Sequence, residues 1–509
     1  MTPTAVQPEG SPPAAHDRTS MPEYTKAKIF WLVTAFAALL LIAFMPAREG
    51  LSTAGQRVLA ILIFAIILWI SEAVPYVYTA ISSLVFLTLF LGFAPAKGLA
   101  GPLLGTRKAL QLAVAGFITN GTILVTAALL MTAAIGITGL EKRIAFRVLK
   151  IFGARTHRVF IGIISVMLVL SFLIPSIVAR SAIVTPLAIS LIGAFGVDRK
   201  SVFARNLLIC VGVSACISGI GVMSAGIPNA IAVSFIEQNL HHTITWMEWL
   251  RYCLPFCVVL LGALYLLITR MNKFEFDEIP GGQRVIDEAH AKLGRVTAAE
   301  KRVSFIFGLT ILLWATEKYH SMDVGTVAII SVMMILSPFL GVASWKELSS
   351  RGNIGSVVIV ASSAVSVGQA LVDTGAAGWL TKTAIGELGV EHMPTWLMMA
   401  ILVAGLIVMR FAFASITAAT ATLVPTVVAL LVSFGNPSLP MWGMTMIATI
   451  SLYFSFVLPV SDPHLMIAYG TDTFEVKDLM RIGIPLTIIA LLLLVVFWFT
   501  YWRWMGIVY

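Results

Sequence analysis

A few polar residues lie where the chain around them is otherwise apolar, and their types limit the chemistry available. Arg180 sits in IPSIVARSAIVTP (residues 174–186), between Pro175 and Pro186. A planar guanidinium can hold a carboxylate, sulfonate or phosphonate through two parallel hydrogen bonds. It can also cap the carbonyls of an irregular turn, or snorkel along its stem to a wet opening. As a fixed charge it can stand in for a bound cation. Hydroxyls recur nearby: Ser176 and Ser181 in this stretch, and Ser415, Thr417 and Thr420 in SITAATATLVP (residues 415–425). Each can donate to an anion or bond back to its own helix. Asp462 and His464 in VSDPH (residues 460–464) pair a carboxylate with an imidazole. The carboxylate can take a proton or a cation, and the imidazole titrates near physiological pH. The bland alternative is a pair that satisfies unwound backbone. In GIPN (residues 226–229), Asn229 can close a site, and Gly226 and Pro228 mark a break whose free carbonyls favour a cation. Arg410, five residues before Ser415, is read as structural or lipid-facing, and Glu72 and Glu317 as fold determinants.

Positioning such groups requires a scaffold, and composition says which kind. The 509 residues are 59% hydrophobic and 12% charged, with a mean hydropathy of +0.94. Soluble domains are about 45–50% apolar and about 25% charged. Runs near the roughly 20 residues needed to span a bilayer recur from Ile29 onward, so one polytopic membrane domain is expected. Residues 1–28, rich in Pro, Ser, Thr and Ala, are expected to be a disordered cytoplasmic tail, and no cleavable signal is visible. The four cysteines (Cys210, Cys216, Cys253, Cys257) lie in apolar runs without a zinc pattern and read as packing residues. A net charge of +9 would suggest nucleic acid in a soluble protein. Here the basic residues cluster in loops, at 142–158 and 270–302, which assigns those loops and the N-terminus to the cytoplasm. Arg107 and Lys108 go against that topology.

Landmarks repeat across the chain. LWISEAVP (68–75) is answered by LWATEKYH (313–320), SIVARSAIVTP (176–186) by SITAATATLVP (415–425), and GIPNAIAV (226–233) by VSDPHLMIAYG (460–470). Glu72 and Glu317, Ser176 and Ser415, and Pro228 and Pro463 are all 235 to 245 residues apart. Three matches in one order indicate an internal duplication. The expected division is a first membrane repeat over 29–270, a cytoplasmic linker over 271–302 and a second repeat over 303–509. The apolar arms beside Ser176 are about 15 residues, or about 22 Å as helix, which is too short for a core of about 30 Å. Re-entrant hairpins are therefore expected near 158–194 and 396–434. Broken helices are expected over 202–238 and 440–470. Simple spans are expected near 29–46, 55–72, 78–95, 113–137, 248–270, 303–320, 322–344, 354–378 and 482–503. The fold class is thus all-α and polytopic, with two inverted repeats, about eleven spans and two hairpins. Exposed N–H ends favour anions and carbonyl ends favour cations. Two hairpin tips meeting two broken helices would make an anion site with adjacent cation positions.

With these duplicated elements, the chain resembles the divalent anion/sodium symporter family, dicarboxylate and citrate carriers among them, over nearly all of its length beyond residue 28. The segment GLEKRIAFRVLKIFG (139–153) resembles the helix and loop that follow the fourth helix in such carriers. The resemblance implies an elevator-type carrier, usually a homodimer, in a bacterial inner membrane. Family members carry Ser-Asn-Thr at both tips, where the Asn serves sodium and substrate carboxylate. Here Ile177 and Ile416 occupy those Asn positions, and Val178 replaces the first Thr, whereas Thr417 keeps the second. GIPN keeps Pro-Asn, whereas SDPH brings Asp462 and His464 instead. The expected function is secondary transport of a small organic anion, di- or tricarboxylate-like, without obligatory sodium, by exchange or proton coupling. A sodium-coupled dicarboxylate symporter and, more distantly, an inorganic-ion exchanger are the alternatives. An intramembrane enzyme would need HExxH, GxSxG or a comparable constellation, and none is present. No cofactor is expected beyond a possible sodium ion.

Overall fold

Apolar runs closed by capping residues determine where the helices begin. Thr25 starts α1 (Lys26–Phe44) and Ser52 starts α2 (Thr53–Ser71), each accepting a backbone N–H of the first turn. The computed structural model describes residues 25–46, 48–95, 101–278, 282–351, 354–385, 393–434 and 439–509. The tail expected over 1–28 lies outside the described residues as far as residue 24. Helix α2 ends at Glu72, which takes a left-handed φ of 48° and accepts a 2.6 Å hydrogen bond from the Tyr76 hydroxyl. Beyond it come α3 (Tyr76–Phe86), continued by a π turn to Leu91, then the short α4 (Thr106–Ala113) and α5 (Asn120–Thr138). Helix α6 (Leu140–Phe152) is amphipathic and leads into α7 (Thr156–Ser171).

Helices α7 and α8 (Ile177–Ala194) form the first hairpin, turning over 172–176. At 16 and 18 residues the arms reach about 24 and 27 Å, short of a core of about 30 Å. Ser176 caps α8 by accepting from the Ala179 N–H at 3.2 Å. Pro186, read from sequence as a flank of the tip, lies inside α8, where the helix runs on through it. The next helix is broken. α9 (Val202–Gly221) stops, the chain extends at Val222, makes a single 3₁₀ turn over Met223–Ala225 and extends again at Gly226, and α10 (Ile227–Leu240) follows. Pro228 fits the first turn of α10, where a missing N–H costs nothing. Helix α11 (Trp246–Met271) opens on a capping box of Thr245 and Glu248.

The linker has more structure than its polarity suggests. It contains α12 (Gly282–Lys292), whose one apolar side, with Ile286 buried, packs on α6. Arg143 of α6 ties the end of the linker down. Its Nε pairs with Glu300 at 2.7 Å, and its Nη atoms donate to the carbonyls of Leu293 and Gly294, both at 3.0 Å.

After the linker the same order of elements returns. Helices α13 (Ala298–Ala315), α14 (Glu317–His320), α15 (Val324–Leu336), α16 (Trp345–Ser350), α17 (Ile354–Asp373) and α18 (Ala376–Ile385) lead to the second hairpin. Its arms are α19 (Thr395–Arg410) and α20 (Ile416–Ser433), with Ser415 as the cap and Pro425 inside α20. The second broken helix is α21 (Met441–Ser451), an irregular stretch with a 3₁₀ turn at Pro459–Ser461, and α22 (Pro463–Tyr469). Helix α23 (Val476–Phe497) ends in a π turn. Among the described residues nine helices are long and apolar enough to cross a membrane, α8 and α20 of the hairpins included. Every expected span coincides with one or more helices. Helices α4, α12, α16 and α18 come in addition.

Candidate functional site

Backbone that leaves a helix inside an apolar medium frees carbonyls and N–H groups that must find partners. In the first half those carbonyls meet Arg180, which is 0% exposed. Its Nη1 donates to the carbonyls of Ile174, at the hairpin turn (2.5 Å), and Ala225, at the helix break (2.8 Å). Its Nη2 donates to the Ala215 carbonyl of α9 at 3.1 Å. The terminal fork is therefore spent on backbone, and Nε has no partner.

The second half repeats this arrangement with a different residue. Arg410, the last residue of α19, is 3% exposed, so the lipid-facing reading is corrected. Its Nη1 donates to the carbonyl of Phe413 at the hairpin turn (2.5 Å), its Nη2 to Ser461 at the helix break (2.8 Å), and its Nε to Leu452 just past α21 (3.1 Å). Ile174 and Phe413 are each two residues before their tip serine. The two guanidiniums thus hold the same two places, the hairpin turn and the last residue of the 3₁₀ turn at the break, although Arg180 follows its serine by four residues and Arg410 precedes its own by five. The duplicated landmarks do not align these arginines, so sequence comparison missed the match. The available signal was an arginine five residues from a re-entrant tip, since a charge at membrane depth needs an explanation.

Here the two halves diverge. Asp462 stands at the second break, 4% exposed. Its Oδ2 accepts from the Ile416 N–H at 2.6 Å, in the first turn of α20, and faces Arg410 Nη2 at 3.3 Å. Its Oδ1 lies 2.9 Å from His464 Nδ1. His464 is fully buried, its carbonyl accepts from Ser181 Oγ of the first hairpin at 2.7 Å, and its Nε2 has no partner. The corresponding residue of the first half is Asn229. Its amide nitrogen donates to Gly219 and Val222 carbonyls at 2.8 and 3.0 Å, and its Oδ1 accepts from the Tyr453 hydroxyl at 2.7 Å. Asn229 therefore holds the first break shut and ties it to the second half. Gly226 is required beside it, because a Cβ there would lie 2.5 Å from Tyr453 Oη.

The other residues singled out from sequence divide into two groups. Ser176 and Ser415 cap α8 and α20, the latter accepting from Ala418 at 3.4 Å, and both are half-buried at the tips. Thr417 is also half-buried, beside Ser415, whereas Thr420 is buried with no partner for its hydroxyl. Pro228 starts α10. Glu317 accepts from the Trp246 N–H at 3.2 Å, so both landmark glutamates act at helix ends. The four cysteines are free and buried. Cys216 lies between the halves, its Sγ donating to the Tyr453 carbonyl at 3.2 Å. Tyr453 was not singled out, as nothing in its sequence context marks it. No group of three or more His, Cys, Asp or Glu that could hold a metal occurs among the described residues. The arrangement can neutralise the carbonyl ends of both breaks with fixed positive charge, leaving the half-buried tips open to an anion.

Comparison with known proteins agrees with this architecture. Residues 26–508 match the family described as the sodium:sulfate symporter transmembrane region. A membrane protein of Cupriavidus necator is 39% identical over 483 residues, covering 94% of each chain. The L-tartrate/succinate antiporter of Escherichia coli (strain K12) is 26% identical, covering 93% of this chain and 97% of its own. The crystal structure of the Alcanivorax borkumensis YdaH transporter superposes with a TM-score of 0.57 at 13% identity, covering 85% of this chain and 98% of its own. That likeness concerns the fold alone. The match across almost the whole length makes this chain an all-helical membrane transporter of the divalent anion/sodium symporter family.

Proposed function

We propose that the protein is a secondary carrier of small organic dianions, di- or tricarboxylate-like, that works by exchange without sodium. The observation that carries this reading is the pair of arginines on corresponding carbonyls at the two helix breaks. A carbonyl end of a broken helix is where a cation lowers the electrostatic energy. Arg180 and Arg410 supply that charge permanently, and Ile177 and Ile416 offer no side-chain oxygen to a metal ion. In this reading both arginines act as resident cations behind the tips. Substrate is met by the half-buried tip hydroxyls of Ser176, Ser415 and Thr417, and by the N-terminal ends of α8 and α20. A relative named as an L-tartrate/succinate antiporter supports both the substrate class and exchange. In this reading the carrier works in a bacterial inner membrane with its N-terminus cytoplasmic, as a homodimer.

The test is a panel of labelled dianions and monoanions offered to proteoliposomes, with or without unlabelled dianion inside. Uptake of succinate or tartrate that needs internal dianion supports the reading. Uptake confined to sulfate, or equal with empty vesicles, contradicts it.

A further inference from the structure

We propose that His464 Nε2 is a proton-binding atom that is loaded together with the substrate, so that each dianion is bound with one proton. This inference rests on the dianion-carrier reading above.

The two halves lose their symmetry at the residue after the landmark proline. Asn229 and His464 each follow the proline that opens the second part of a broken helix. Every hydrogen-bonding group of the Asn229 side chain is engaged. His464 has one ring nitrogen engaged and one empty, at 0% exposure. The engaged nitrogen is the hydrogen donor. It faces Asp462 Oδ1, and this tautomer is assigned because the same carboxylate is ion-paired with Arg410 through Oδ2 and so acts as an acceptor. The lone pair therefore sits on Nε2, and an acceptor left empty out of water is costly by about 1–3 kcal/mol. A protein that needed only a structural staple at this point already uses asparagine in the other half.

The charge of the cluster points the same way. Arg180 and Arg410 are positive and Asp462 is negative, so the buried cluster carries one net positive charge while His464 is neutral. A dianion would leave that cluster one charge negative, away from water. A proton on Nε2 makes the sum zero, and the resulting imidazolium keeps its Nδ1–H bond to Asp462. The proton comes from water on the side where substrate enters. It returns to water on the side where substrate leaves.

The neighbours leave this ring as the group suited to the task. Helix α22 packs against α8, α9 and the 3₁₀ turn before it. From α8 it meets Ser181, which follows Arg180 in the chain. Helix α9 contributes Cys210, Cys216 and, at its start, Arg205, which is paired with Asp478 at 3.2 Å. Asp462 and Arg410 flank the break, and Tyr76, bonded to Glu72, lies within electrostatic reach of both. Among these, imidazole is the side chain that ordinarily changes charge between about pH 5 and 8. Ser181 joins the ring's backbone to the first hairpin, so protonation is felt in both halves.

Titration calorimetry of the purified carrier with succinate, and separately tartrate, at pH 7.5 in buffers of different ionisation heat counts the protons taken up. About one proton per dianion is expected. The His464→Gln and His464→Asn variants, which keep a donor towards Asp462, are expected to take up almost none and to bind the dianion at least tenfold more weakly at pH 6 than the parent. Unchanged elution and melting temperature identify the variants that are folded. The parent alone also gives an answer: log Kd should rise with a slope near one as the pH increases above neutrality. Binding without proton uptake, or uptake that persists in the variants, overturns the proton site and leaves the carrier reading standing. If neither dianion binds, both fail.

Discussion

Arg180 Nη1 and the Ala225 carbonyl lie 2.8 Å apart, so a side chain of the first hairpin closes the helix break across from it. Arg410 and the Ser461 carbonyl form the corresponding contact in the second half, also at 2.8 Å. A guanidinium in this position joins two irregular pieces of backbone and leaves positive charge behind both tips. Removing it has separable consequences.

Arg180→Ala should abolish dianion exchange while leaving folded protein, because it removes the charge and the bonds to the Ile174 and Ala225 carbonyls. Arg180→Lys keeps the charge but not the fork, and should restore at most a small part of the rate. Proteoliposome exchange beside size-exclusion elution checks this. Near-normal exchange in Arg180→Ala would reduce Arg180 to a packing residue.

Arg410→Ala strands the Asp462 carboxylate in the interior, and breaking a buried pair on one side costs about 3–5 kcal/mol. The double variant Arg410→Ala/Asp462→Asn should recover a clear part of the lost melting temperature, because no uncompensated charge remains. Equal melting temperatures for the single and double variants would refute the coupling.

Gly226→Ala should impair folding and transport together, since its Cβ would stand 2.5 Å from Tyr453 Oη. Tyr453→Phe removes that oxygen and its bond to Asn229, at a cost of about 1–3 kcal/mol. In the double variant the clash is gone, so the loss should be smaller than the sum of the two single losses. Additive losses in thermal melting would show that the glycine is needed for another reason.

Arg143→Ala should release the linker from α6 and α13, exposing the Leu293 and Gly294 carbonyls and leaving Glu300 unpaired. The expected outcome is faster proteolysis between residues 272 and 297, with substrate affinity unchanged. A protected linker in the variant would contradict the clamp.

The breaks and hairpins were legible because residues that disturb helices mark them. Pro228 and Pro463 stand in the first turn of a half-helix, and Ser176 and Ser415 cap the second arms, so the duplicated pattern located all four irregular points. The Asp462–His464 pair was legible for the same reason, since both residues interrupt an apolar run. The partnership of the two arginines was not legible. Long side chains on opposite arms of their hairpins reach the same carbonyls from positions that no alignment of the halves pairs. Tyr453 was missed because an aromatic residue in an apolar run looks like any packing residue until its hydroxyl is seen on Asn229. Helix α12 was hidden by its charges, as only a narrow apolar side packs on α6.

In the proposed carrier, Arg180 and Arg410 stand in place of bound cations, and this substitution needs its own test. It is tested most directly by succinate or tartrate exchange in proteoliposomes prepared without sodium, with choline as the replacement. The expected result is the same initial rate with and without a sodium gradient, and no shift of Kd when sodium is added to the purified carrier. Exchange that disappears without sodium and returns in proportion to added sodium would contradict it.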